Sequence, residues 1–174
     1  VTYDPWGHYE ENPDHYITAS AVEGARWMAG GPRDYPEHLE AGLKPHAVME
    51  RYYFARGPQL VNRVVDITDT IEQKIDANLV NVTQGPAGEH GSLIRRNLEK
   101  DGKYLPLLGN NDTEANRNYI RHFVLDMDSQ NLRGVPSDKE VGKPWQLEWA
   151  ERFHYIGPVP SATQEYIRKN AKRK

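Results

Sequence analysis

The chain has 174 residues, with 22 basic and 25 acidic side chains and a net charge of −3, the size of one domain or of part of one. So even a balance excludes a global field for nucleic acid or a membrane surface; the five basic residues among the last seven, Arg168 to Lys174, fit a solvated terminus. The absence of cysteine excludes a disulfide scaffold, thiol catalysis and thiolate metal ligation.

No apolar run is long enough to span a bilayer and no signal-peptide pattern is present, so a soluble, cytoplasmic chain with no membrane partner is expected. An apolar content of 37%, with 12 Pro and 14 Gly, predicts a loop-rich chain with a small core of its own.

Residues 1–3 read as the end of a strand, and residues 4–11 as the loop leaving it. Asn12 and Pro13 are a helix start, because Asn accepts from orphan N–H groups as N-cap and Pro suits the first helical position. The helix is predicted over 12–29, with Ile17, Ala21, Ala25 and Met28 at helical spacing, and Gly30-Gly31-Pro32 stops it. Residues 32–45 are a loop with one turn near 37–41, and 48–55 are β-rich. A short strand is predicted at 63–67. Asp69 and Glu72 form a capping pair ahead of a helical stripe of Ile71, Ile75, Leu79 and Val82. Residues 85–91 are a breaker-rich loop. Helices are predicted at 93–99, 113–132 (with Tyr119, Phe123 and Met127 inward) and 146–155, with a linker at 135–144. Strand and helix in alternation argue an α/β layered fold.

The run Asp4-Pro5-Trp6-Gly7-His8-Tyr9-Glu10-Glu11-Asn12-Pro13-Asp14-His15 concentrates the chemistry. It puts a carboxylate and an imidazole on the first turn of a helix, where the dipole disfavours further positive charge and leaves imidazole a lone pair for a metal. Read from the residues alone, Asp14 is equally a favourable charge at a helix N-terminus, Asn12 equally a plain cap, and Trp6 equally a plug against the core. His90, in a Gly-rich loop, is a further unassigned histidine. No Gly-rich phosphate loop, nucleophile elbow or His-Glu-x-x-His run is present.

Asn12-Pro13-Asp14-His15 resembles the downstream His-Pro-Asp-His signature of the PIG-L/LmbE family of zinc-dependent N-acetylglucosaminyl deacetylases. The likeness continues through Tyr52-Tyr53-Phe54, Val65-Asp66-Ile67-Thr68-Asp69 with Ile71-Glu72-Gln73-Lys74, Val80-Asn81-Val82-Thr83-Gln84, and Glu148-Trp149-Ala150-Glu151-Arg152-Phe153-His154. The family's upstream Ala-His-Pro-Asp-Asp-Glu signature, which supplies two zinc ligands and the general base, is nowhere in the chain. The resemblance therefore implies the C-terminal part of a Rossmann-like sheet with flanking helices. Residues 1–90 would form the C-terminal half of the deacetylase domain and 91–174 its mainly helical extension. The missing N-terminal half would precede Val1 or come from a second chain, and a homo-oligomer is expected.

The resemblance implies a hydrolase that removes an acetyl group from an N-acylated amino sugar or related amide. His15 would be the zinc ligand from this chain and Asp14 the orienting carboxylate. Asn12 occupies a position where the family usually has an acid–base His. Asn can donate a hydrogen bond but delivers no proton at neutral pH, and His8 is the candidate substitute acid. Trp6, Tyr9, Glu10 and Gln84 are expected to contact substrate. The rival reading is a non-catalytic pseudo-deacetylase half that binds a glycan or a partner protein.

Overall fold

A computed structural model describes residues 1–7, 10–83, 88–127, 135–158 and 161–173. The chain divides into two compact units, Val1–Ala55 with Phe153–Lys174, and Arg56–Arg152. The strands form one mixed sheet in the order β1-β2-β4-β3. Here β1 is Thr2–Tyr3, β2 Arg51–Phe54, β3 Arg63–Asp66 and β4 Ala150–Ile156. With its flanking helices this is an α/β layered fold. Among the described residues no helix is long and apolar enough to cross a membrane.

In the first unit β1 runs parallel to β2, with Tyr3 opposite Phe54, and β2 runs antiparallel to β4, with Tyr53 opposite His154. The helix predicted over 146–155 is therefore corrected to strand β4. Trp149, Ala150 and Phe153 imitate helical spacing, but cross-strand aromatic packing decides the outcome. Tyr52 lies 4.8 Å from the Tyr155 ring and 5.5 Å from Phe153, the kind of pair that stabilises a sheet.

Helix α1 (Pro13–Ala29) starts where Asn12 predicted. The Asn12 side-chain oxygen accepts from the Asp14 N–H at 3.0 Å, with Pro13 in the first turn. The face it buries is not the expected one. Ala19 is fully buried, whereas Ile17 is 58% exposed and Ala21 and Ala25 also face outward. The inward row continues through Glu23 and Arg26. Glu23 accepts from the Tyr53 hydroxyl at 2.6 Å and from Arg26 at 2.8 Å, so hydrogen bonds rather than an apolar stripe tie α1 to β2. Helix α2 (Pro36–Glu40) is the single turn expected in the following loop.

In the second unit, a 3-10 turn (Thr68–Thr70) leads from β3 into α3 (Ile71–Leu79). The expected Asp69–Glu72 capping pair does not form: α3 begins without a side-chain cap, and Glu72 reaches instead to Arg117, at 2.7 Å, and to Arg121. Ile71 and Ile75 are buried and Leu79 packs beside them, but Val82 lies beyond the helix and is 56% exposed. The core joins these isoleucines to Leu108, Ala115, Tyr119, Ile120, Leu125 and Trp149.

Helix α4 (His90–Lys100) starts three residues before the predicted 93. Helix α5 (Asp112–Tyr119) continues as a π-helical stretch, Ile120–Asp126. Tyr119 and Phe123 turn inward as expected, but Met127 is 65% exposed. Within the expected 135–144 linker stands a short helix, α6 (Asp138–Gly142). Its Ser137–Glu140 capping box is the local signal that sequence reading passed over. A last helix, α7 (Ala162–Asn170), capped by Ser161, was not expected.

Helices α4 and α5 meet at Gly91, where an added methyl would overlap the Ala115 carbonyl, and the Ser92 N–H donates to Asn116 at 2.7 Å. On helix propensity alone Gly91→Ala would gain about 1 kcal/mol. Overlap with backbone reverses the sign, since overpacking costs about 1–3 kcal/mol. A net loss of up to about 2 kcal/mol is expected, read as a Tm lower by up to about 6 °C. A higher Tm would show that the two helices part without penalty.

Candidate functional site

The first turn of α1 and the loop before it bring together Tyr3, Glu10, Asn12 and His15, all within the first unit. The ring of Tyr3, buried on β1, stacks on His15 at 4.8 Å and 27°, and meets Phe54 edge-on at 5.1 Å. The Tyr3 hydroxyl donates to Glu10, and Glu10 also accepts from the Asn12 backbone N–H at 2.9 Å. His15 Nδ1 faces Glu10 Oε1 at 3.3 Å, and Nε2 lies 3.4 Å from the Asn12 side-chain nitrogen. Tyr3 was not singled out in the sequence. Its place depends on β1–β2 pairing, which no local signal reveals.

Glu10 differs from its expectation as a substrate contact. Its side chain is 2% exposed and is turned to Tyr3, Asn12 and His15, which leaves no open face for a sugar. His15, at 32%, remains open on one side. Asp14 is exposed, and its backbone N–H receives the Asn12 cap. Asn12 is therefore a real cap, and the same amide also touches His15. His8, Tyr9 and Gln84, the remaining sequence candidates, lie outside the described residues.

Trp6 is 52% exposed, its backbone N–H held by the buried Asp4 carboxylate at 2.9 Å. Its ring meets Tyr53 edge-on at 5.1 Å and lies 5.7 Å from His154, a residue the sequence reading left without a role. One edge of the Trp6 ring thus packs inward, while about half of the residue is exposed.

Beneath this cluster, burial pushes the Tyr53 hydroxyl up from its ordinary value, and its bond to the Glu23 carboxylate adds to the rise. Burial would raise Glu23, but hydrogen bonds from Arg26 and Tyr53 outweigh it and hold the carboxyl below its usual range. Glu23 is thus ionised at neutral pH and anchors α1.

Among the described residues no three His, Asp or Glu side chains converge to hold a metal. His15 itself fits the role of one ligand: it is an imidazole at a helix start, open on one side.

No family model matches the chain. The chain is similar to the diacetylchitobiose deacetylase of Thermococcus kodakarensis, with 36% identity over 84 residues. The match covers 48% of this chain and 30% of that protein, so the chain spans under a third of the length of the curated relative it matches.

Proposed function

We propose that this chain is part of a zinc-dependent hydrolase that removes the acetyl group from an N-acylated amino sugar. One observation carries the reading: His15 is fixed on a helix start by Tyr3, Glu10 and Asn12 with one side open, in a chain similar to a deacetylase. His15 would give a ring lone pair to the metal, and the remaining ligands and the general base would come from residues outside those described or from another segment of the protein. Zinc bound there supplies Lewis acidity, bringing water toward ionisation at neutral pH and polarising the amide carbonyl.

The chain's own residues do the positioning. Half-exposed Trp6 offers aromatic surface for stacking on a sugar ring. The Asn12 side-chain nitrogen, 3.4 Å from His15 Nε2, would be a fixed donor beside a developing oxyanion. Asp14, exposed at the same turn, adds negative charge beside the site.

Release of acetate from N-acetylated chitobiose and N-acetylglucosamine by the complete protein tests the reading, with chelation and zinc repletion as controls. No acetate from a zinc-loaded preparation would favour a glycan- or protein-binding module that has lost catalysis. Asn12→His carries a sharper expectation. Supplying a proton donor at position 12 should raise the deacetylation rate by roughly 10²-fold. Loss of the Asn12 cap should simultaneously lower stability by about 1 kcal/mol. A variant slower than the parent on every N-acetyl sugar would place the proton source elsewhere, with His8 the first residue to test.

A further inference from the structure

We propose that Glu10 is a positioning residue that holds His15 as its Nδ1–H tautomer and so presents Nε2 as the lone pair for a metal. The metal rests on the deacetylase reading above; the tautomer does not.

The inference starts from a group whose role is fixed. A backbone N–H can only donate, so the Asp14 N–H, 3.0 Å from Asn12, identifies the cap atom as the amide oxygen. The other arm of that amide is then the NH₂, a donor without a lone pair to offer, and it is the atom that meets His15 Nε2 at 3.4 Å. Facing a donor, Nε2 carries the lone pair of the ring, which a bound metal would take over from the Asn12 amide, and a neutral imidazole with its lone pair at Nε2 carries its hydrogen at Nδ1. Nδ1 is buried, and the acceptor facing it is Glu10 Oε1 at 3.3 Å, within hydrogen-bond distance though without the alignment of a full hydrogen bond.

Two neighbours give Glu10 the rigidity that this task requires. The Tyr3 hydroxyl donates to one carboxylate oxygen and the Asn12 backbone N–H to the other at 2.9 Å. The Tyr3 ring that makes the first bond also stacks on the imidazole it helps to aim. One aromatic residue thus holds both the carboxylate and the plane of the His15 ring. The result is a carboxylate behind an imidazole, an arrangement that fixes ring orientation and strengthens the imidazole as a ligand. A free imidazole in water favours the opposite tautomer, so Nδ1–H at this position would be a property of the site.

Nitrogen-15 NMR of the metal-free complete protein, labelled at histidine and held at mildly alkaline pH, reads the tautomer directly. Wild type is expected to show Nδ1–H at His15, and Glu10→Leu to revert to Nε2–H while keeping a cooperative melt. Should Glu10→Leu fail to fold, Glu10→Gln, which keeps the shape and offers a weaker acceptor, is expected to show a reduced Nδ1–H fraction. Zinc titration supplies the second readout: Glu10→Gln is expected to bind zinc roughly 10- to 100-fold more weakly than wild type. Nε2–H in the wild type, or an unchanged tautomer and an unchanged zinc affinity in the variants, overturns the assignment. Wild type that shows Nδ1–H but binds no zinc would instead sink the deacetylase reading and leave the role of Glu10 standing.

Discussion

His15→Ala is expected to remove stoichiometric zinc from the complete protein while leaving its fold in place. Three protein ligands are the usual minimum for a catalytic zinc, and a site that loses one loses most of its hold. Without the metal, several kcal/mol of charge stabilisation disappear, a fall in deacetylation of about 10³-fold or more. The folding penalty is small by comparison. The side chain is 32% exposed, so its removal chiefly leaves the Tyr3 ring unstacked and Glu10 one neighbour short, about 1 kcal/mol. Metal content by mass spectrometry, with far-UV circular dichroism as the fold control, decides the matter. Zinc content equal to the parent would remove His15 from the site.

The largest stability effect is expected at Lys74, in the second unit. Its ammonium lies 2.6 Å from Asp138 and also pairs with Glu151, tying α3 to α6 and to the first residues of β4. Burial by itself would lower the Lys74 pKa, but the two carboxylates outweigh it and raise it. Lys74→Met keeps most of the stem and removes the cation that Asp138 and Glu151 share. With 27% of the lysine side chain still reached by water, a loss of about 2–3 kcal/mol is expected, below the range for fully buried pairs. The pH dependence has a definite sign. A folded-state pKa above the unfolded value of about 10.4 means the stabilisation is complete below that pH and disappears as pH rises through the folded value. Urea denaturation should show wild type losing stability in that alkaline range, with the same leg absent from Lys74→Met. Superimposable alkaline legs would rule out the pairing.

What could be read in the sequence was local. Asn12-Pro13 announced the start of α1 because a cap and its first turn lie within three residues, and the stripe of Ile71 and Ile75 announced α3 for the same reason. The errors have a common origin in distance. Residues 146–155 looked helical until β2, nearly a hundred residues earlier, paired with them. The outward stripe of α1 looked like its core face because apolar periodicity cannot register a buried side made of Glu23, Arg26 and a tyrosine hydroxyl from β2. In the site, position and residue type identified His15 as a candidate ligand. The purpose of Glu10 emerged only when β1 brought Tyr3 over it.

Asn12 sets a trap for anyone improving this protein by selection. Ser and Asp cap helices about as well as Asn, and Thr somewhat less well, so a library sorted by heat resistance would accept all of them at position 12. None brings the amide N–H that meets His15 Nε2, and Asp would place a carboxylate there. A thermal screen is therefore blind to the second demand on this position, and variants enriched by it would arrive with an unaltered melting curve and no amide N–H beside His15 Nε2. Sorting on bound metal as well as on survival would separate the two demands.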